Sequence, residues 1–388
     1  MFDNPLEKQI IEGFEKEYGN KPETVACAPG RLEILGNHTD YNEGVVLSVA
    51  VDKVTYFAAS PAEGKSCRLH DLRDGSHRSF SIADISDNIE DGDWANYIKG
   101  IIIELEDRGM DVPGFDACIL SDIPLSAGMS SSAALEISSA YGLGSLTGTE
   151  LPWIEWAKIG QACENKVVGA RTGLLDQFST ICGRAGQLVF SDFRSLETSN
   201  VPIPDNTALI IANSMVKHNL TNEYNERRES CEKAAEAVSR ADADVQSLRD
   251  VTPEMLKKCK GNMDITSYRR AVHIVEENLR VFNGIKALQK GDIEAFGKLM
   301  YDSHESSRVN FENSCPELDS LVDLGKSLPG ALGARLSGGG FGGITVHLVR
   351  QNEAKDYAQR LGTAFQSLTD IDPQVMICHA GDGARVIS

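Results

Sequence analysis

Apolar and polar positions alternate along this chain with two different periods, and the switches between them outline its elements. Leu6, Ile10, Phe14 and Tyr18 recur four residues apart on one helical face, with Asn4 placed to cap the helix and Pro5 suited to its first position. Residues 24–59 read mostly as strand, since VACA, EIL and GVVLSVAVDKVTYFAAS are rich in valine and other β-formers. Residues 66–82 suit a polar hairpin, 94–108 a helix and 115–123 another strand. Over 124–146 the chain moves from a Gly/Ser loop into a small-residue helix, a further helix is expected after Pro152, and GQLVFSDF at 186–193 returns to strand.

A polar stretch with two prolines, SLETSNVPIPDN at 195–206, marks a boundary between two expected lobes, 1–195 and 196–388. The strand ALIIANS follows it, then helical patterns at 222–242, 266–290, 292–312 and 315–328. Near the end, ARLSGGGFGGITVHLVR reads strand–turn–strand, because Ile344, Val346 and Leu348 alternate with polar or smaller residues. A helix over 352–368 and the strand QVMICHA complete the pattern. Helices and strands mix without the βαβ rhythm of a doubly wound sheet, so the expected class is α+β in two lobes.

Composition narrows the function. Hydrophobic residues at 41% and charged residues at 24% describe an ordinary globular chain. Lys and Arg number 38 against 57 Asp and Glu, a net charge of −19 that disfavours nucleic acid or an anionic membrane as partner. A local pocket of two or three cations for a phosphorylated small molecule stays compatible with that sum. No run approaches the roughly 18 apolar residues of a membrane span. The first residues carry neither a basic leader nor an apolar core, and the nine scattered cysteines form no C-x-x-C. Reduced thiols in a cytoplasmic protein are the expectation.

Two apparent nucleotide motifs fail on context. GGGFGG at 338–343 satisfies G-x-G-x-x-G, but a strand follows where a dinucleotide fold needs a helix. A glycine-rich turn that lets backbone approach a ligand or another strand remains. The GKS tripeptides at 64–66 and 325–327 lack the earlier glycine of a phosphate-binding P-loop, with Ala59 and Ser320 in its place.

Three other segments carry candidate chemistry. Gly128, Ser130, Ser131 and Ser132 precede a helix, where free N–H groups suit phosphate; an ordinary serine cap has the same pattern. GRLEILGNHTDYNEG at 30–44 gathers Arg31, Glu33, Asn37, His38, Asp40 and Tyr41 as a polyol-binding loop would, or as a polar surface turn would. Asp176 sits between Leu175 and Phe178, where a carboxylate is either paired structurally or poised as a base.

Taken together and in this order, these segments resemble the GHMP small-molecule kinases. APGRLEILGNHTDYNEG resembles the signature of their galactokinase branch, PLSAGMSSSAALE their phosphate loop, and LSGGGFGGITVHL their third, glycine-rich motif. The likeness continues through WANYIKG, TGLLDQFSTICG, NSMVKHNLTNEYNERR, SYRRAVHIVEEN and ENSCPELD, nearly the whole chain. It implies a two-lobed fold with the active site in the cleft between lobes, and ATP-dependent phosphorylation of a sugar's anomeric hydroxyl. By motif position, Asp176 matches the carboxylate that accepts the C1 hydroxyl's proton or holds that hydroxyl in line, and Arg31 the cation beside it. Asn37, His38, Asp40, Gly173 and Tyr268 match sugar contacts. Gly128, Ser130, Ser131 and Ser132 match the triphosphate cradle, with Ser131 a contact for Mg²⁺, and Gly339 and Gly340 complete the ATP site. Trp94 and Tyr97 match the walls of the adenine pocket. The resemblance further implies a small sugar and ATP as partners, and a cytoplasmic monomer is the expectation.

Two positions depart from the branch pattern G-R-x-N-L-I-G-E-H-T-D-Y: Glu33 stands at its asparagine and Asn37 at its glutamate. The branch glutamate accepts near the sugar's C6 hydroxyl, whereas Asn37 is neutral and both donates and accepts. A carboxylate stays nearby if Glu33 faces the sugar. The alternatives to a galactose kinase are a 1-kinase for a galactose-like sugar altered at C2 or C6, and a non-catalytic sugar and ATP sensor. The uninterrupted GMSSSAALE speaks against the sensor.

Overall fold

The computed structural model describes residues 5–124, 128–169, 172–216 and 221–388. The cap position Asn4, residues 125–127 of the serine loop, and 170–171 and 217–220 lie outside them.

The first half of the chain builds one large sheet. Helix α1 (Pro5–Tyr18) is followed by β1 (Thr24–Leu35), β2 (Val45–Pro61), the hairpin β3 (Ser66–Asp71) and β4 (His77–Ser81), α2 (Ala95–Asp107) and β5 (Phe115–Ser121). Then come α3 (Ser131–Thr147), α4 (Trp153–Cys163), α5 (Leu175–Cys182), β6 (Gln187–Asp192) and β7 (Glu197–Pro202). The strand order is β12-β1-β2-β5-β3-β4, with β6 also paired to β2 and β7 to β6, and β3 is parallel to β5. Here β12 is the last strand, Arg385–Val386, so the chain's end returns to this sheet.

Side-chain alternation explains why β1 and β2 read as continuous apolar runs. Tyr56 and Ala58 face α1 together with Val25 and Cys27, while Phe57 and Ala59 enter the main core on the opposite face. Helix α3 packs on β1 and β2, and its small residues permit close approach: a Cβ on Gly142 would lie 2.5 Å from the Phe57 ring.

The second half begins with β8 (Thr207–Asn213), α6 (Thr221–Ser239), α7 (Pro253–Lys258), α8 (Ile265–Gln289) and α9 (Ile293–Ser306). It continues with α10 (Pro316–Lys326), β9 (Ala331–Ser337), β10 (Ile344–Arg350), α11 (Ala354–Thr369) and β11 (Gln374–Cys378). Its sheet runs β11-β8-β10-β9, all antiparallel. Ala208, Ile210 and Ala212 pack under α11, and Leu209 and Ile211 join the main core. That core takes residues from both sheets.

Several elements differ from the sequence pattern. The polar stretch at 195–206 contains β7, an edge strand with half its residues exposed, and the chain crosses to the second sheet between Pro202 and Thr207. Helices α5 and α7, of 8 and 6 residues, are too short to establish a period. Helices α4 and α9 each end in a single π-helical turn, Glu164–Val168 and Ser307–Phe311. The nine cysteines are free, seven of them buried. Among the described residues no helix is long and apolar enough to cross a membrane.

Candidate active site

Two adjoining cavities meet at one ion pair. Arg31 stands on β1 beside a register break with β2, and its backbone N–H donates to Met129 O at 3.0 Å. Asp176 lies in the first turn of α5. The Arg31 guanidinium donates to Asp176 Oδ1 at 2.8 Å through Nε, brings Nη2 to 2.8 Å from the same oxygen, and donates through Nη1 to Gly128 O at 2.7 Å. Ser130, in a left-handed backbone conformation with φ of 54°, donates its hydroxyl to Asp176 Oδ2. Arg31 is thus a brace between the serine loop and α5.

The first cavity, of about 530 Å³, is lined by this pair with Glu33, Asn37, His38, Asp40, Gly173 and Tyr224 among others. Its size and its polar side chains suit a small polar ligand. His38 holds a left-handed φ of 61°. Its Nε2 lies 3.1 Å from Gly339 O, so that nitrogen carries the proton, and its Nδ1 accepts from the Tyr41 hydroxyl at 3.0 Å. Burial pushes its pKa down to about 4, so the ring is neutral. Asp40 goes the other way: burial, and then the nearby Glu33, push its carboxyl up to about 7. Gly173 abuts it, since a Cβ there would lie 2.0 Å from Asp40 Oδ2.

Two of the lining residues, Asn37 and Glu33, belong to a buried polar network that continues beneath the cavity. Asn37 Nδ2 donates to Glu33 Oε1 and to Gly338 O, both at 2.9 Å, and its Oδ1 accepts from Asn313 Nδ2 at 2.9 Å. Glu33 Oε1 also lies 3.2 Å from the fully buried Arg335. Burial raises the Glu33 pKa, opposed by Arg335 and Arg31. Glu277 accepts from the backbone N–H of Gly36 at 3.0 Å. Burial opposes its ionisation, but Arg280, His273 and Arg335 outweigh that and hold it well below the usual carboxylate range. The peptide leading into the loop is therefore pinned by a fixed charge.

The second cavity, of about 440 Å³, shares Arg31, Asp176, Gly338 and Gly339 with the first and adds Gly128, Ser130, Ser131, Ser132 and Gly340. Gly340 requires its residue type: φ is +85°, and a Cβ would lie 2.0 Å from Asn313 O. Behind this cavity Ser132 donates to Glu164 Oε1 at 3.1 Å, Thr172 to Glu164 Oε2 at 2.5 Å, and Gln177 to both Glu164 and the fully buried Glu136. Burial raises the pKa of both glutamates, helped at Glu164 by Asp176 and at Glu136 by Glu164. Glu164, at the start of a π-helical turn, escapes sequence reading because nothing local marks it.

Of the expected site residues, Arg31, Asn37, His38, Asp40, Gly173 and Asp176 line the first cavity, and Gly128, Ser130, Ser131, Ser132, Gly339 and Gly340 the second. Tyr268 lines neither. It sits in the first turn of α8 over Lys260, packed against the separate apolar cluster of α6–α8. Tyr224, at the start of α6, lines the first cavity instead, with ring centroids 5.3 Å from both His38 and Tyr41. Trp94 and Tyr97 also line neither cavity. Trp94 precedes α2 with Arg78 over its ring, and Tyr97 packs toward Glu164 and Glu136, whose charges help raise its pKa to about 12 after burial.

Three family signatures match the chain: a galactokinase galactose-binding signature over residues 12–61, the GHMP kinases N terminal domain over 96–184, and the GHMP kinases C terminal over 285–367. A galactokinase of a Roseiflexus species is 37% identical over 380 residues, 97% of this chain and 96% of that protein. The galactokinase of Homo sapiens is 36% identical over 382 residues, 96% of this chain and 95% of its own. Among solved structures, Lactococcus lactis galactokinase complexed with galactose superposes with a TM-score of 0.92 at 30% identity, covering 98% of this chain and 100% of that one. A mevalonate kinase at 19% identity and TM-score 0.67 shares the fold.

Proposed function

This chain belongs to the galactokinase family of GHMP kinases, and from that premise we propose that it transfers the γ-phosphoryl group of ATP to the C1 hydroxyl of galactose. The observation that carries the reading is the pair of adjoining cavities sharing Arg31 and Asp176. A sugar in one and a triphosphate in the other would meet at that ion pair.

The C1 oxygen attacks the γ-phosphorus, the bond to the ADP oxygen breaks, and the hydroxyl proton passes to Asp176. Such chemistry depends mostly on positioning and charge. Arg31 and Ser130 fix one carboxylate oxygen each, which aims Asp176, and the guanidinium offsets negative charge on the transferring group. Glycines of the β9–β10 turn and the N-terminus of α3 provide backbone N–H groups for phosphate. The hydroxyl of Ser132 and the carboxylate of Glu164 are the all-oxygen donors that Mg²⁺ takes, so we assign the ion to them, one residue beyond Ser131. When bound with ATP it would neutralise phosphate charge.

Glu33 supports galactose itself as the sugar. It lines the cavity within hydrogen-bond distance of Asn37, so a carboxylate stands beside the position where the branch has one. The expected outcome of a sugar panel with coupled ADP detection is the highest kcat/KM for galactose, with galactosamine, N-acetylgalactosamine, galacturonate, arabinose and glucose lower. A C2- or C6-altered sugar at the top would replace this reading with that of a related 1-kinase.

A further inference from the structure

Away from the cleft, one surface gathers ligands that the kinase reaction does not use. His70 on β3 and His77 on β4 face each other directly across the hairpin. Their rings stack at 4.0 Å between centroids with 16° between planes. Glu17, in the last turn of α1, reaches over from the neighbouring layer and divides its carboxylate between them. Its Oε2 lies 3.2 Å from His70 Nδ1 and its Oε1 3.1 Å from His77 Nε2. The three donor groups bring one ligand atom each within 4.8 Å of one another.

Two details separate this cluster from an ordinary surface ion pair. His70 Nδ1 is shielded from solvent yet lacks a well-aligned hydrogen bond, despite the carboxylate oxygen so close to it. The neighbouring cation is also already committed, since Arg68 Nε donates to Asp116 at 2.6 Å and leaves Glu17 to the two imidazoles. Tetrahedral ligands at 2.0–2.1 Å from an ion stand about 3.3 Å apart; each imidazole nitrogen is that far from one oxygen of Glu17, and an ion held by both would turn the two rings out of their near-parallel stack so that both lone pairs meet it. Two imidazoles and one carboxylate, with His77 more than half exposed, leave room for water as a fourth ligand.

We propose that Glu17, His70 and His77 form a binding site for a borderline divalent transition-metal ion, with Zn²⁺ the best fit, that clamps the end of α1 to the β3–β4 hairpin. Hard oxygen-seeking Mg²⁺ is a poor match for this donor set. The site is independent of the kinase reading, because none of its residues lines either cavity. Ion binding to the folded chain alone raises the unfolding temperature by mass action.

The test is calorimetric titration of ZnCl₂ into the chelator-treated full chain without nucleotide, in wild type, His77→Ala and Glu17→Gln, with unfolding temperature as second readout. The expected result is one ion per chain and a Zn²⁺-dependent rise in unfolding temperature, with binding at least roughly tenfold weaker in either variant. X-ray absorption at the zinc edge should show nitrogen and oxygen ligands without sulfur. Equal binding in all three proteins, sulfur ligation, or no binding in wild type would each overturn the proposal.

Discussion

Asp40 carries the sharpest consequence of burial at the scale of single residues. Its carboxyl has an ordinary value of 3.8 and is raised to about 7 in the fold. A raised carboxyl contributes stability that is present in full below its unfolded value and lost as pH rises through the folded one. Without sugar, Asp40 should therefore contribute a decline in stability between about pH 4 and pH 7, and Asp40→Asn should make that slope shallower in a denaturant unfolding series, the buried Glu33, Glu136 and Glu164 supplying the remainder. Sugar hydroxyls donating to the carboxylate favour its charged form, so sugar binding near pH 6.5 should release protons. Calorimetry in buffers of different ionisation heat reads this directly, and proton uptake would contradict it. Glu33 and Asn37 were legible as a departure from the family pattern. Their joint engagement with Gly338, Asn313 and Arg335 was not, because those partners lie about 300 residues away along the chain.

The glycine turn between β9 and β10 shows at the scale of elements what sequence pattern can and cannot carry. Its strand–turn–strand form follows from the alternation of Ile344, Val346 and Leu348, which pair in regular register with Asn213, Ile211 and Leu209. What makes one glycine irreplaceable is a tertiary contact. Gly340→Ala combines a positive φ with collision against Asn313 backbone, whereas Gly343 has a positive φ and open space beyond it. Gly340→Ala should lower stability by at least roughly 1–3 kcal/mol and raise KM for ATP; Gly343→Ala should cost only its conformational strain. Thermal unfolding and ATP titration of the two variants check the contrast. The same limit applies elsewhere. Helix α5 has 8 residues and no side-chain cap, so Asp176 can be recognised as chemistry but not as part of a helix. Tyr224 and Tyr268 each occupy a first helical turn, and only the packing of α6 against the His38 loop separates cavity wall from outer cluster.

For the whole molecule, the decisive feature is that both sheets feed one core while the site lies where their loops converge. The loop after β1, the start of α3, α5 and the β9–β10 turn meet at Arg31 and Asp176 across sequence separations of up to 300 residues. An α+β class in two lobes is readable from pattern alone; the place where the lobes share a core is not, since it depends on which faces of β8 and β10 turn inward. The central claim is transfer to the anomeric oxygen at that ion pair. The most direct measurement is NMR identification of the product from galactose and MgATP, with wild type beside Asp176→Asn and calorimetric binding of both ligands to each. Wild type should give galactose 1-phosphate. In Asp176→Asn turnover should fall by about 10²–10⁴-fold while sugar and ATP still bind. Phosphate on another hydroxyl, or undiminished turnover in the variant, would contradict the central claim.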